Sequence, residues 1–211
     1  MDLFDLRNEY TSQPFDESDA LSSPFELFDK WFHEAMESKI FEPNAMALAT
    51  VGANGIPSVR MILLKSFNKN GFIFFSNYES RKGHQLKENH NAACVFYWEE
   101  LERQVRIEGV VEKLSNEESD KYFETRPTGS RLGAWASPQS KIVESRQWLE
   151  TKHNEFRNKF KHSEVPRPEN WGGYKLIPHQ IEFWQGRPNR LHDRIEYTFE
   201  GDSWKIRRLA P

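Results

Sequence analysis

AMALATVGANGIPSVRMILLKSFNKNGFIFFSN, residues 45–77, is the stretch that decides the fold. Its apolar residues follow a strand-like period, in AMALATV, PSVRMILLKSF and GFIFFSN. Asn54-Gly55 and Asn70-Gly71 stand between these runs, and Asn-Gly between apolar segments is a strong hairpin signal. The reading is two successive hairpins, hence antiparallel pairing.

The pattern continues on both sides. Residues 1–22 are polar and rich in Asp, Ser and Glu, so they read as an arm ahead of a single domain over 23–211. Ser23-Pro24-Phe25-Glu26 reads as a capping box with Pro at the first helical position. Phe28, Trp31, Phe32, Ala35 and Met36 follow at helical spacing, which predicts a helix to about Ser38. RKGHQLKENH (81–90) suits a short helix, and NAACVFYW and ERQVRIEGVVEKLS read as strands. In the latter, Val105, Ile107 and Val111 alternate with Gln104, Arg106 and Glu108, as in a half-buried strand. Helical stretches follow near 116–125, in RLGAWAS, and near 140–160, where Ile142, Leu149, Phe156 and Phe160 share a face. After the Pro/Gly-rich EVPRPENWGG, three strands close the chain: YKLIPHQIEFWQG, RIEYTFE and SWKIRRLAP. Strands in hairpin succession with helices inserted late predict a mainly β fold, an antiparallel barrel with added helices.

Composition narrows the function. The 211 residues carry a net charge of −3, which gives no reason to expect nucleic acid. Cys94, the only cysteine, lies in the apolar run AACVFYW, so it reads as a core residue and excludes an intramolecular disulfide. No apolar stretch approaches the ~18 residues of a membrane span, and the acidic N-terminus lacks a signal-peptide pattern. A cytoplasmic protein is expected. Neither G-x-G-x-x-G nor G-x-x-x-x-G-K-[ST] occurs, so any nucleotide is held in another manner. No His pair has metal-ligand spacing, and no metal is expected.

Four segments carry candidate chemistry. IEFWQGRPNRLHDR (181–194) sets Trp184, Arg187, Arg190, His192 and Arg194 between two strands, either to hold something flat and anionic or as a solvated basic turn. Arg60 and Lys65 bracket RMILLK, but an odd offset puts them on opposite faces of an ideal strand, roughly 16 Å apart. They then serve opposite ends of an elongated ligand or two anionic groups, or are ordinary strand-end cations. Ser80-Arg81-Lys82-Gly83 opens a helix after a strand, a phosphate site or a plain capped surface helix. Tyr122, Arg126 and Ser130 recur at four-residue steps, with Pro127 breaking any single helix. Converged, they make a second phosphate cradle. Two phosphate-grade sites, an aromatic-rich loop and no metal point to a phosphorylated cofactor beside a phosphorylated substrate.

Together with LERQVRIEG, KYFETRPTGSRLGAWASPQS, EVPRPENWGGYKL and WKIRRLAP, these runs closely resemble the pyridoxine (pyridoxamine) 5′-phosphate oxidase family over nearly the whole chain. The resemblance implies a homodimeric FMN-binding split β-barrel with two flavin sites at the subunit interface. It implies FMN contacts from Arg60, Met61, Ile62, Leu63, Lys65, Phe75, Ser76, Arg81, Lys82, Gln104, Trp184 and Arg194. Gln139 and Ser140 match a further FMN contact, expected from the other subunit. Lys65, Tyr122, Arg126 and Ser130 match the substrate-phosphate cradle, and Arg190 and His192 the pair facing the pyridine ring. Arg7 and Tyr10 resemble an N-terminal lid over the substrate.

The implied reaction passes hydride from the 4′ carbon of pyridoxine 5′-phosphate or pyridoxamine 5′-phosphate to FMN. The product is pyridoxal 5′-phosphate, and O2 then takes the electrons to give H2O2. On this reading the flavin carries the chemistry and the protein supplies orientation and charge. The alternative is a non-catalytic flavin- or B6-phosphate-binding split-barrel protein, expected to lack the Tyr122/Arg126/Ser130 and Arg190/His192 sets together. A flavin reductase using nicotinamide would need a second nucleotide signature, and none is present.

Overall fold

The computed structural model of the chain describes residues 1–5 and 9–211. Helix α1 spans Pro24–Glu37, with Ser23 as its N-cap. Pro24 fills the first position, where a missing N–H costs nothing. The Ser23 hydroxyl makes no capping bond, so the expected capping box does not form. The buried face is Leu27, Phe28, Trp31 and Ala35, while Met36 is exposed. Phe28 meets Phe67, Phe72 and Phe96 edge-on, with ring centroids 4.8–5.2 Å apart. Such pairs add roughly 0.5–1.5 kcal/mol each beyond their burial, and they seat α1 against the sheet.

Nine strands form one antiparallel sheet: β1 Ala45–Val51, β2 Pro57–Leu63, β3 Ser66–Asn68, β4 Gly71–Asn77, β5 Asn91–Trp98, β6 Arg103–Lys113, β7 Trp171–Gln185, β8 Asp193–Glu200 and β9 Ser203–Arg208. Their order is β2-β1-β5-β6-β7-β4-β3, with β8 on β7 and β9 on β8. The hairpin around Asn54-Gly55 is present, with Gly55 at φ 71.

The single strand expected over Pro57–Phe67 is broken. Leu64 N donates to Asn44 O at 2.8 Å on the β1 side, and Lys65 N donates to Ile73 O at 2.8 Å in β4. The chain changes neighbours between these two residues, with Leu64 buried and Lys65 exposed. That hand-over breaks the ideal pleat from which the odd-offset separation of Arg60 and Lys65 was reckoned.

Strand β7 serves two partners in turn. Residues Trp171–Leu176 pair with β4 and Gln180–Gln185 pair with β8, while β6 runs along the other edge from Tyr174 to Gln185. The β6–β7 register shifts between Glu108 and Gly109, opposite Pro178 and His179. A bulge is a place in a sheet that accepts a proline, which has no N–H to donate. Gly109 fits there because any Cβ would stand 2.1 Å from Ile177 O. The core lies inside the curl and includes Leu48, Phe74, Phe96, Val105, Ile107, Ile181, Phe183 and Ile195. The alternation read in β6 holds, with Val105, Ile107 and Val111 buried.

The other helices are α2 Arg81–Glu88, α3 Asn116–Glu124, α4 Thr128–Ala136 and α5 Arg146–Lys159. The reciprocal capping box is at α3, between Ser115 and Glu118. Helix α5 begins later than its apolar spacing suggests, because Ser145 caps it by accepting from Trp148 N at 3.1 Å. Ile142 therefore lies outside the helix, fully exposed, and shares no face with Phe156. No helix among the described residues is long and apolar enough to cross a membrane.

Candidate functional site

A cavity of about 840 Å³ opens between β2, β4, the start of α2, the α3–α4 turn and residues 139–140. Of the site residues read from the sequence, it gathers Arg60, Met61, Ile62, Leu63, Lys65, Phe75, Ser76, Arg81, Lys82, Tyr122, Arg126, Ser130, Gln139 and Ser140. Five of its lining residues are Lys or Arg and none is Asp or Glu. Such a field is built for anions.

One end is braced from three elements. Arg60 donates to Leu48 O at 3.1 Å, Thr50 Oγ1 at 2.6 Å and Ser58 Oγ at 2.5 Å. Gln85 Oε1, on α2, accepts from both hydroxyls at 2.7 and 2.6 Å. Lys82 is buried and donates to Gln139 Oε1 at 2.7 Å, Ser76 Oγ at 2.8 Å and Ser80 Oγ at 3.3 Å. Burial first, and the Arg60 charge second, push the Lys82 ammonium from 10.5 down to about 8. Burial and Arg81 likewise lower the Arg60 guanidinium. Helix α2 has no acidic residue in its first turn, so its positive end adds to this field.

The other end is aromatic. Phe75 stacks on Tyr122 with centroids 3.8 Å apart and planes at 18°, and on Trp171 at 5.6 Å and 13°. Arg126 lies over the Trp171 ring at 4.5 Å, and its buried Nη1 has no hydrogen-bond partner among the described residues. Leaving such a donor unsatisfied costs about 1–3 kcal/mol or more. Burial raises the Tyr122 hydroxyl, and Arg126 partly opposes that. Ser130 stands in the first turn of α4.

Gln104, Trp184, Arg190, His192, Arg194 and Tyr10 do not line this cavity. Gln104, Trp184 and Arg194 form one row across β6, β7 and β8. The row faces outward, since Val105, Phe183 and Ile195 beside it point into the core. Buried Glu182 grips Arg194 bidentately at 2.8 and 3.0 Å and also accepts from Arg106 at 3.0 Å. The His192 ring lies 4.7 Å from Trp184, and Tyr10 meets both edge-on at 5.3–5.5 Å. Arg190 reaches over Tyr10 at 5.9 Å from a backbone at φ 62. His192 Nδ1 accepts from Arg187 N at 3.1 Å. Burial and Arg190 lower the His192 imidazole, with Asp193 opposing. Arg7 lies outside the described residues.

Gln139 and Ser140, expected to reach FMN from the other subunit, line the cavity of their own chain, and the Lys82–Gln139 bond is intrachain. The residues set apart from the cavity are those of the β6–β8 row. The outer face of the sheet is also apolar where Val59 and Met61 stand exposed beside Ala47, Ala49, Ala93 and Val95. Sequence reading gave no role to Trp171, Thr125, Pro127, Ser58 or Val59, which line the cavity. Trp171 follows a Pro-rich connector, and no local spacing ties it to Tyr122.

Residues 32–160 match the family model described as pyridoxamine 5′-phosphate oxidase. Residues 171–211 match the pyridoxine 5′-phosphate oxidase C-terminal dimerisation region. A pyridoxine/pyridoxamine 5′-phosphate oxidase of Burkholderia vietnamiensis is 55% identical over 212 residues, covering 99% of both chains. One of Trichormus variabilis is 55% identical over 210 residues, covering 99% of this chain and 98% of its own. Among solved structures, PhzG from Burkholderia lata, in complex with tetrahydrophenazine-1-carboxylic acid, superposes with a TM-score of 0.89 at 33% identity, over 95% of this chain and 99% of its own. An FMN-binding protein of Nostoc punctiforme shares the fold, with a TM-score of 0.71 at 18% identity, over 91% of this chain and 100% of its own. The nine-stranded sheet with its helices is a split β-barrel, and the chain belongs to the pyridoxamine 5′-phosphate oxidase family.

Proposed function

We propose that this chain is an FMN-dependent oxidase that converts pyridoxine 5′-phosphate or pyridoxamine 5′-phosphate to pyridoxal 5′-phosphate, with O2 as acceptor and H2O2 as product. The observation that carries this reading is a carboxylate-free cavity with five cations, one of them with an orphaned buried N–H. Its volume of about 840 Å³ suits a cofactor plus a small substrate, within the usual ligand-site range of roughly 300–1,000 Å³. Ser76, Arg81 and Lys82, with Arg60, Gln139 and Ser140 around them, fit a flavin phosphate, and Met61–Leu63 give a strand along the ring. Lys65, Tyr122, Arg126 and Ser130 fit the substrate phosphate, supplying the acceptor that Arg126 Nη1 lacks.

FMN, when bound, supplies the hydride acceptor and the means of passing electrons to O2. The protein's part is positioning. Arg190 and His192 face the substrate ring. Because Nδ1 accepts from the Arg187 amide, the neutral His192 ring carries its proton on Nε2 and presents a donor. The match to a dimerisation region and the exposed apolar strip of β2, β1 and β5 support a homodimer. In that dimer the Gln104/Trp184/Arg194 row and the Arg190/His192 loop would complete the partner's cavity.

The deciding experiment is anaerobic addition of either B6 phosphate to the flavin-loaded protein, following flavin absorbance. Bleaching, then recovery with peroxide on admitting air, is expected. Binding without bleaching would leave a non-catalytic B6-phosphate-binding protein. Bleaching by tetrahydrophenazine-1-carboxylic acid alone would favour a role like that suggested by the PhzG complex.

A further inference from the structure

Tyr10 is only half-buried, and both described neighbours, Glu9 and Thr11, are exposed. One carboxylate oxygen gathers three hydrogen bonds from this part of the arm. Glu102 Oε2 accepts from Thr11 N at 2.9 Å, Ser12 N at 2.9 Å and Ser12 Oγ at 2.7 Å. Glu102 is itself immobilised between β5 and β6. Its carbonyl accepts from Gly186 N at 2.7 Å and Gln185 Nε2 at 3.1 Å, and its backbone sits in the left-handed region at φ 52. A non-glycine residue keeps that conformation only where its surroundings enforce it. The same Gly186 supports Tyr10, for a Cβ on it would stand 2.7 Å from the Tyr10 ring. Arg187 completes the circuit by donating to Ser12 O and pairing with Asp193 at 3.3 Å. Asp193 in turn accepts from Phe15 N at 3.1 Å.

We propose that Glu102 is a positioning residue that latches the arm so that Tyr10 closes over Trp184 and His192. This rests on the function proposed above, which places the substrate ring beside His192. Glu102 lies outside the main cavity, so its effect on the site is carried by the arm and Tyr10. Three donors converging on one carboxylate oxygen make a strong local anchor. The anchor's other half belongs to the loop that carries His192, so latching sets the arm and the loop in one register.

The test uses full-length, flavin-loaded Glu102→Ala and Glu102→Gln, with amide hydrogen exchange at Thr11 and Ser12 beside steady-state kinetics. In Glu102→Ala the two amides should exchange about tenfold faster or more, and KM should rise with flavin content unchanged. Glu102→Gln keeps an acceptor oxygen and should recover most of both losses. In a Tyr10→Ala background, adding Glu102→Ala should raise KM no further. Unchanged exchange, or an equal KM penalty with and without Tyr10, overturns the proposal. Should Glu102→Ala fail to fold, Ser12→Ala removes one donor from the arm side and should show the same changes in smaller measure. If the wild type oxidises no B6 phosphate, the proposed function fails, while the exchange measurement still decides the latch.

Discussion

Lys82 Nζ and Gln139 Oε1, 57 positions apart in sequence, meet at 2.7 Å within one chain. The contact joins the start of α2 to the segment after α4, and it closes the cationic end of the cavity without a second subunit. Lys82 also bonds two hydroxyls, yet burial and Arg60 hold its ammonium near 8. An anion in contact with it would restore the charged form.

Flavin phosphate binding is therefore predicted to take up protons above pH 8. In the free protein Lys82 loses its proton as pH rises through about 8, while the phosphate-bound form keeps it. Affinity for FMN should then be level from about pH 7, above the phosphate's own titration at about 6, up to that pH and fall beyond it. Calorimetric titrations in buffers of different ionisation enthalpy check the sign, and Lys82→Met should abolish the proton uptake. It should also weaken binding by about 1.5–3 kcal/mol, the usual worth of a charge-assisted contact. A pH-independent affinity from 7 to 10 would sink the assignment.

Arg126→Ala should raise KM for the phosphorylated substrate by roughly ten- to a hundredfold while leaving flavin content intact. The stack on Trp171 and the orphaned Nη1 mark Arg126 as waiting for a ligand. Loss of FMN with normal binding of pyridoxal 5′-phosphate would mean that the two ends of the cavity have been assigned in reverse.

Arg190→Met should lower kcat far more than it lowers flavin content. The residue is exposed, in a left-handed backbone, over Tyr10. A positioned cation needed in the transition state is worth about 2–4 kcal/mol, if oxyanion-type donors are a guide. Steady-state constants equal to wild type would exclude the role.

Subunit mixing tests the shared site. Lys82→Met removes a residue of the cavity, and Arg194→Met removes one from the outward row. If each site draws on both chains, mixing the two variants equally, at an FMN concentration too low to load either alone, gives half heterodimers, each with one intact site. Activity should recover to about a quarter of wild type. No recovery after verified subunit exchange would show that both residues serve one chain's site.

The alternation in Ala45–Asn77 made the hairpins legible, because a half-buried strand writes its faces into consecutive residues. The break at Leu64–Lys65 was not legible. It is set by a change of hydrogen-bond partner from Asn44 to Ile73, which leaves no local mark. At Ser23 the capping pattern is present without the bond, whereas Ser145 forms its cap and excludes Ile142 from α5. The cations of the cavity were each visible in a motif, but their union depends on long-range closure. Gln139, which the family resemblance placed across an interface, is found beside Lys82. Trp171 carried no signal, because its role exists only once β7 lies against Phe75.

Strand β7 begins at Trp171, in the wall of the cavity, and near its end carries Trp184, in the outward row. Thirteen residue steps separate them, roughly 43 Å of extended backbone at 3.3 Å per step. One added or deleted residue in that span, unless taken up in a further bulge, would invert every side chain beyond it. In the proposed dimer a single indel in β7 could thus keep the wall of one pocket only at the expense of the row that completes the other. Point substitution, rather than change of length, is the route by which this strand can evolve. A scan of single-residue insertions along the chain should find β7 among its least tolerant segments.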